Sequence, residues 1–239
     1  MRPVSRFFSF CLLAGLMSLC PFLVMAQVGE PRSDFAVGVN GGYAMNRVSF
    51  NPTIKQAMKG GETFGVTIRY TCEKYYTAIC ALTAEVNFAN LGWKEVIETS
   101  TDTYSRDINY VQVPLMARMG WGKEERGLMF FIQAGPQFSY FLGQKHHKAG
   151  EWSAQTLALR PNRVTAQYDL EVENKFEYGL TGGLGLELST GIGHFMLEGR
   201  YYYGLSDIFH NSKKDPFGRS ANGVIFIKGT YLFDLFTSR

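Results

Sequence analysis

The stretch FEYGLTGGLGLELSTGIGHFMLEGRYYYG, residues 176–204, decides the fold. From Phe176 to Leu188 the even positions are apolar or glycine, and the odd positions are small or acidic. The segment from Phe195 to Tyr203 repeats this alternation. A period of two residues is typical of a β-strand whose two faces meet different surroundings. Because only the short turn at 190–193 separates the two segments, they are predicted to form a hairpin.

The same alternation occurs in six further segments, namely 35–44, 62–72, 79–92, 107–119, 128–142 and 223–235. Eight strands make a small closed barrel, and strands of roughly 10 to 15 residues cross a bilayer when they are tilted. The predicted fold is therefore all-β, an eight-stranded antiparallel up-and-down transmembrane β-barrel. A secreted lipocalin-like barrel with its apolar face inside is the alternative. In a lipocalin-like barrel, the glycines on the face opposite the leucines would have no packing role.

The links between these segments alternate in length. They are long at 45–61, 143–174 and 206–221 and short at 73–78, 120–127 and 189–193. Outer loops at one end and tight periplasmic turns at the other give this asymmetry. Aromatic residues near the strand ends, Trp93 among them, are interpreted as membrane-interface belts.

Composition narrows the class of protein. Of 239 residues 46% are hydrophobic, 15% aromatic and 19% charged, which excludes a disordered chain. A mean hydropathy of −0.09 excludes a helical transporter with many spans. The 26 glycines exceed the usual share of about 7% and indicate glycine inside regular structure. The formal charge of +3 falls to +1 without Arg2 and Arg6, which gives no support for binding nucleic acid.

Residues 1–26 have the features of a cleaved signal peptide. Arg2 and Arg6 precede an apolar run of 18 residues at 7–24, and Val-Met-Ala at 24–26 forms a cleavage site. A single transmembrane helix is the alternative interpretation of a run of this length. We predict one mature domain, 27–239, exported to the outer membrane of a Gram-negative bacterium.

Four segments carry a family resemblance, namely YVQVPLMARMG at 110–120, FFIQAGPQFSYFL at 130–142, FEYGLTGGLGLEL at 176–188 and LEGRYYYGLSDI at 197–208. Together they resemble the PorT-like group of outer-membrane β-barrels. The resemblance implies an eight-stranded barrel and, from the namesake of the group, an accessory role in type IX protein secretion. A small-solute porin is the alternative function.

Apolar faces that point to lipid place four acids and four bases inside the barrel, namely Arg69, Glu85, Arg118, Glu177, Glu187, Glu198, Arg200 and Lys228. An eight-stranded barrel is only wide enough for its own side chains. These charges are therefore predicted to pair and fill the lumen, with an ion pathway as the alternative.

No catalytic, cofactor-binding or metal site is expected. Ser206, Asp207 and His210 share one loop but lack the spacing of a catalytic triad motif, and the adjacent His146 and His147 are interpreted as solvated. The protein is predicted to be non-enzymatic and to act through its outer loops. The loop 143–174 is the largest, and its basic stretch Lys145–Lys148 is a candidate surface for lipopolysaccharide or secretion-machinery proteins. A solvated loop without a partner is the alternative.

Two cysteines remain after signal removal, Cys72 and Cys80, on either side of a short periplasmic turn. A turn centred on Tyr76 would place them opposite each other in an oxidising compartment. The sequence therefore predicts a Cys72–Cys80 disulfide.

Overall fold

The computed structural model describes residues 29–123, 126–160 and 164–237, so the predicted signal peptide at 1–26 lies outside the described residues. The strands are β1 Glu30–Asn51, β2 Gln56–Ala57, β3 Lys59–Tyr75, β4 Ala78–Glu95, β5 Thr103–Gly122, β6 Gly127–Ala149, β7 Phe176–Thr190, β8 Gly193–Gly204 and β9 Arg219–Phe236. A short helix, α1 Ala154–Ala158, and one 3₁₀ turn, Ala166–Tyr168, follow β6. No helix among the described residues has the length and apolar character that a membrane span needs.

Eight of these strands close into a ring. Each pairs antiparallel with its neighbours in the chain, and β1 pairs with β9 to complete the circle. The two-residue strand β2 adds to the C-terminal end of β4. The predicted eight-stranded antiparallel up-and-down barrel is confirmed, with β1 and β3 to β9 as its walls.

The outward faces show where the membrane lies. On β5 the outward side chains are apolar from Val111 to Trp121, and on β6 from Leu128 to Leu142, and most of them are exposed. Beyond this apolar band, the outward residues of 103–109 on β5 are polar. The end that bears these residues carries the long links 96–102, 150–175 and 205–218, so we call it the outer end.

Several strands extend further than the alternation predicts. Strand β5 begins at Thr103 and β6 continues to Ala149, and these two residues are register partners. Both faces of this extension meet water or loops, so the contrast that marks a membrane strand is lost there. The connection between β6 and β7 is consequently 150–175, shorter than the predicted loop 143–174.

Inward glycines make room for large charged side chains. A Cβ on Gly183 would lie 2.3 Å from the Gly199 carbonyl oxygen and 2.8 Å from the Arg200 side chain. A Cβ on Gly185 would lie 2.5 Å from the Phe131 ring. The high glycine content therefore permits the close packing of this narrow lumen.

The predicted Cys72–Cys80 disulfide is wrong, because both cysteines are free thiols. The turn holds two residues, since Tyr75 pairs with Ala78, and Tyr76 adopts a left-handed φ of 53°. A register shift between Thr71 and Glu73 makes Cys72 an unpaired bulge residue, and Cys80 faces Glu73. The two sulfur-bearing residues are therefore not direct cross-strand partners.

Candidate functional site

All eight predicted interior residues point into the barrel, and each is 8% exposed or less. Seven of them form ion pairs, which divide into two clusters at different depths. Glu177 is the exception among these eight residues. It accepts hydrogen bonds from the Tyr202 hydroxyl at 2.9 Å and from Asn222 at 2.8 Å, both neutral groups.

The central cluster joins strands β4, β8 and β9. Arg200 donates to Glu85 at 2.5 and 3.0 Å and to Glu198 at 2.5 Å. Lys228 donates to Glu85 at 2.7 Å. Gln133 adds a hydrogen bond to Glu198 at 2.5 Å. Two acids meet two bases, so this section of the lumen is filled by paired charges.

The inner cluster lies near the periplasmic end and is centred on Glu187. Arg69 donates to both oxygens of this carboxylate, at 2.8 and 2.9 Å, and Arg118 pairs with it. His194 Nδ1 lies 2.7 Å from Glu187, and its Nε2 lies 3.0 Å from Asp234. The prediction missed His194 and Asp234. The cluster borders a cavity of about 80 Å³ that opens to the periplasmic end.

The contact between His194 and Ser189 does not form a catalytic dyad. The Ser189 hydroxyl is 3.1 Å from His194 Nδ1, and Asp234 lies at the other ring nitrogen. Glu187 is closer to the same Nδ1, at 2.7 Å, so this nitrogen is not free to accept the serine proton. Ser189 is also only 2% exposed, which leaves a substrate no access to the hydroxyl.

An aromatic cluster, which we call the outer plug, fills the lumen at the outer end. Its central members are Phe50, Trp93, Tyr104, Phe209 and Phe217, all buried. The Phe50 ring lies 5.2 Å from Trp93 and 5.1 Å from Phe217, within the range of favourable aromatic pairs. The interpretation of Trp93 as an interface residue is wrong, because its side chain points inward and is fully buried.

Arg106, on β5, fixes the link 150–175 over the outer plug. Its guanidinium lies 4.8 Å from the Trp93 ring and donates to the carbonyl oxygens of Gln167 at 2.8 Å and Leu170 at 2.7 Å. Tyr104 accepts a further bond from Arg106 Nε at 3.1 Å. Burial lowers the pKa of Arg106, and its contacts with Tyr104 partly offset this effect.

A second arginine holds the other side of this link. Arg160 donates to Asp102 at 2.7 Å and to the Ser100 hydroxyl at 2.8 Å. Nearby, Glu95 accepts from the Tyr168 hydroxyl at 2.7 Å and from Gln167 at 3.1 Å. Burial raises the pKa of the Glu95 carboxyl, although these hydrogen bonds act in the opposite direction.

The links 150–175 and 205–218 bind each other, and we call them together the outer cap. Asn174 donates from its side chain to the carbonyl oxygen of Asp207 at 2.8 Å, and Glu173 accepts from the His210 backbone at 2.7 Å. The Asp207 carboxylate accepts from the backbone N–H of Ser220. The group of Ser206, Asp207 and His210 therefore supports the cap, and within the described part of the chain no side-chain hydrogen bond joins these three residues as a triad.

The basic stretch Lys145–Lys148 belongs to strand β6, not to a flexible loop. His146 Nδ1 lies 3.0 Å from the Tyr104 hydroxyl, and His147 Nε2 lies 2.8 Å from Asp107. Neither histidine has the further ligands of a metal site, and the described ranges contain no group of three metal-binding side chains. These residues therefore help to hold the wall of the barrel above the membrane.

Residues 25–210 match the family described as outer membrane protein β-barrel domain. The chain belongs to this family. Membership agrees with the closed eight-stranded ring and its outward apolar band, and it places the protein in the outer membrane. No curated protein matches the sequence.

Solved structures with similar folds include several outer-membrane proteins. OprG from Pseudomonas aeruginosa is 13% identical, with 86% of this chain and 98% of that chain covered and a TM-score of 0.42. Neisserial surface protein A is 13% identical, with coverage of 83% and 97% and a TM-score of 0.40. Ail from Yersinia pestis, in complex with a heparin analogue, is 14% identical, with coverage of 83% and 99% and a TM-score of 0.35.

Proposed function

We propose that this outer-membrane barrel is a non-conducting, non-enzymatic scaffold that presents its outer cap to a protein partner. The observation that carries the proposal is the anchoring of the cap by two buried arginines, Arg106 and Arg160. A cap fixed by buried charged hydrogen bonds keeps one shape, and a preformed surface loses little conformational entropy on binding.

The interior supports the non-conducting part of the proposal. The inner cluster, the central cluster and the outer plug occupy successive levels of the lumen. An ion that crossed the barrel would have to separate buried ion pairs at two levels, at a cost of several kcal/mol each. A small-solute porin, the alternative function, requires a hydrated path instead.

We infer that the partner is a protein of the secretion machinery, as the PorT-like resemblance implies. The surface for it is the predicted loop region 143–174, which comprises the outer end of β6 and most of the link 150–175, together with the tip of 205–218. Its exposed residues combine the apolar Leu159, which is 59% exposed, with the basic Lys145, Lys213 and Lys214. Protein interfaces combine apolar side chains with a polar rim, and the exposed residues of this surface supply both kinds.

Site-specific crosslinking in intact cells tests this function. A photoreactive amino acid replaces Leu159 in the cap, and the matched control replaces Tyr76, which is 83% exposed in a periplasmic turn. We expect one reproducible adduct with another envelope or secreted protein from position 159 and none of that size from position 76. Identical adducts from both positions would contradict a cap-specific partner. Steady open-channel currents from the purified protein in a planar bilayer would contradict a non-conducting scaffold and support the porin function.

A further inference from the structure

A groove on the outward face of the barrel lies beside the outer cap and is separate from the lumen. Tyr203, Gly223 and Arg47 stand side by side on β8, β9 and β1, as cross-strand partners in one row. The next row toward the periplasm holds Tyr201, Ile225 and Met45. Together with the link after β1, these rows surround a cavity of about 510 Å³.

Gly223 forms the floor of this groove. A Cβ at this position would have only one neighbour closer than 3.4 Å, the Tyr201 hydroxyl at 3.1 Å. The Tyr203 and Arg47 side chains therefore flank an open space above the sheet. Any larger residue at Gly223 would project into that space from the outward face of β9.

The groove lies at the outer surface of the membrane. Phe195 and Tyr231, whose rings are 4.9 Å apart, mark the lower part of the same face. Gly223 and Tyr231 are eight residues apart on β9. At about 3.4 Å per residue and a tilt of about 40°, this spacing is roughly 20 Å along the barrel axis. The apolar band of a membrane barrel is about 25 Å tall, so Gly223 and Arg47 lie near the headgroups of the outer leaflet.

The charge of the groove is positive. Arg47 and Arg219 line it, and no acidic residue does. The Arg219 guanidinium lies 5.4 Å from the Tyr203 ring centre and donates to its hydroxyl, which fixes its position. Within the described residues, neither arginine has a carboxylate within 4 Å. Arg219 has Asp207 as an electrostatic neighbour beyond this distance. Arginine forks recognise phosphate oxygens in pairs, and the remaining donors of Arg47 and Arg219 can bind an anion.

We propose that this groove binds the phosphorylated glycolipid of the outer leaflet. The phosphate lies between Arg47 and Arg219, the sugar stacks against Tyr203, and the acyl chains descend over the apolar row below. A soluble phosphate would leave the apolar wall of Tyr201 and Ile225 uncovered, whereas an amphiphile satisfies both parts of the groove. This site is on the outer wall, so it does not depend on the partner proposed for the cap.

Native mass spectrometry of the purified barrel in detergent micelles tests the site, with diphosphoryl lipid A as the probe. The first variant, R47Q/R219Q, removes both charges, and the second, G223L, fills the groove without removing any charge. K123Q/R126Q is the matched control because it removes two exposed charges at the periplasmic end, away from the groove and from the outer cap. Migration of unheated and boiled samples on a gel verifies that each variant is folded.

We expect at least tenfold weaker binding of one lipid A molecule by R47Q/R219Q and by G223L, and less than a twofold change in the control. Dephosphorylated lipid A should bind the unchanged protein at least tenfold more weakly. Equal losses in the charge variant and the control would overturn the site, since they indicate diffuse electrostatic attraction. Equal affinity for phosphatidylglycerol, or displacement by inorganic phosphate alone, would overturn the assignment to the glycolipid.

Discussion

Replacing Arg200 with leucine tests whether the lumen is a dry network of ion pairs. Arg200 is 4% exposed and makes three hydrogen bonds to two carboxylates. Without it, Glu85 keeps the Lys228 ammonium at 2.7 Å, but Glu198 keeps only the neutral amide of Gln133 as a hydrogen-bond partner, with Lys228 and Arg118 as more distant cations. One buried carboxylate thus loses its direct ion pair.

The partners that remain in R200L determine the expected loss in free energy of unfolding. Breaking a buried pair by removing one partner destabilises a protein by about 3 to 5 kcal/mol, because the remaining charge stays buried. A second change, E198Q, removes that charge and leaves an amide that still bonds to Gln133. We therefore expect the double variant R200L/E198Q to recover at least 1 kcal/mol relative to R200L, a non-additivity typical of residues in one network.

Urea titration of the barrel folded into lipid vesicles measures these differences by tryptophan fluorescence. The control is L197A on the same strand, since Leu197 is 62% exposed on the outward face and loses only lipid contact. Its cost should be less than that of R200L. If R200L is no more costly than L197A, or if E198Q gives no recovery, the carboxylates are hydrated and the lumen is not sealed by ion pairs.

Three further predictions concern the cap and the cysteines. The variant R106M removes the donors to the carbonyls of 167 and 170, so protease cleavage within the cap should accelerate at least tenfold; unchanged cleavage would mean that other contacts hold it. Burial raises the folded pKa of Glu95, so its contribution to stability is greatest below pH 4.5 and decreases as the pH rises toward the raised value. As the pH rises from 4 to 8, we therefore expect the urea midpoint of the unchanged protein to fall relative to that of E95Q. A constant difference between the two midpoints over this range would refute the prediction. Cys72 and Cys80 should both be alkylated in protein unfolded without reductant, and protection of either would indicate an oxidised form.

The sequence predicted the strands well where the two faces meet different media. The alternation from Val111 to Trp121 marks lipid on one side and the lumen on the other, so parity alone places each residue. Above the membrane this contrast disappears, which is why the outer ends of β5 and β6 were predicted too short. The position of a bulge also has no signature in alternation, and the register at Cys72 was wrong for that reason.

The alternation along each strand predicts which charged residues face the lumen, but it does not predict which of them pair with one another. Glu85 and Arg200 are 115 residues apart, and only the order of strands around the ring brings them together. Asp234 was missed because it lies at the strand end, where a charged residue is equally consistent with a solvated terminus. Trp93 shares the inward parity of Glu85, so the sequence did contain a signal for the outer plug. The contacts of the cap with Arg106 depend on tertiary folding of a link that has no periodic pattern.

Deleting the larger link of the outer cap distinguishes a lumen that is blocked by its ion pairs from one that the cap closes as a gate. Replacing 150–175 with a short glycine-serine linker takes away the two carbonyl partners of Arg106 and uncovers the outer plug. The inner and central clusters remain, because their ion pairs come from the strands alone. We therefore expect the shortened barrel, like the unchanged protein, to give no steady currents in a planar bilayer. Steady currents only after the deletion would mean that the cap is a gate over a conducting path. The ion pairs of the lumen come from the strands, so a block that they cause would remain after the link above the membrane is removed.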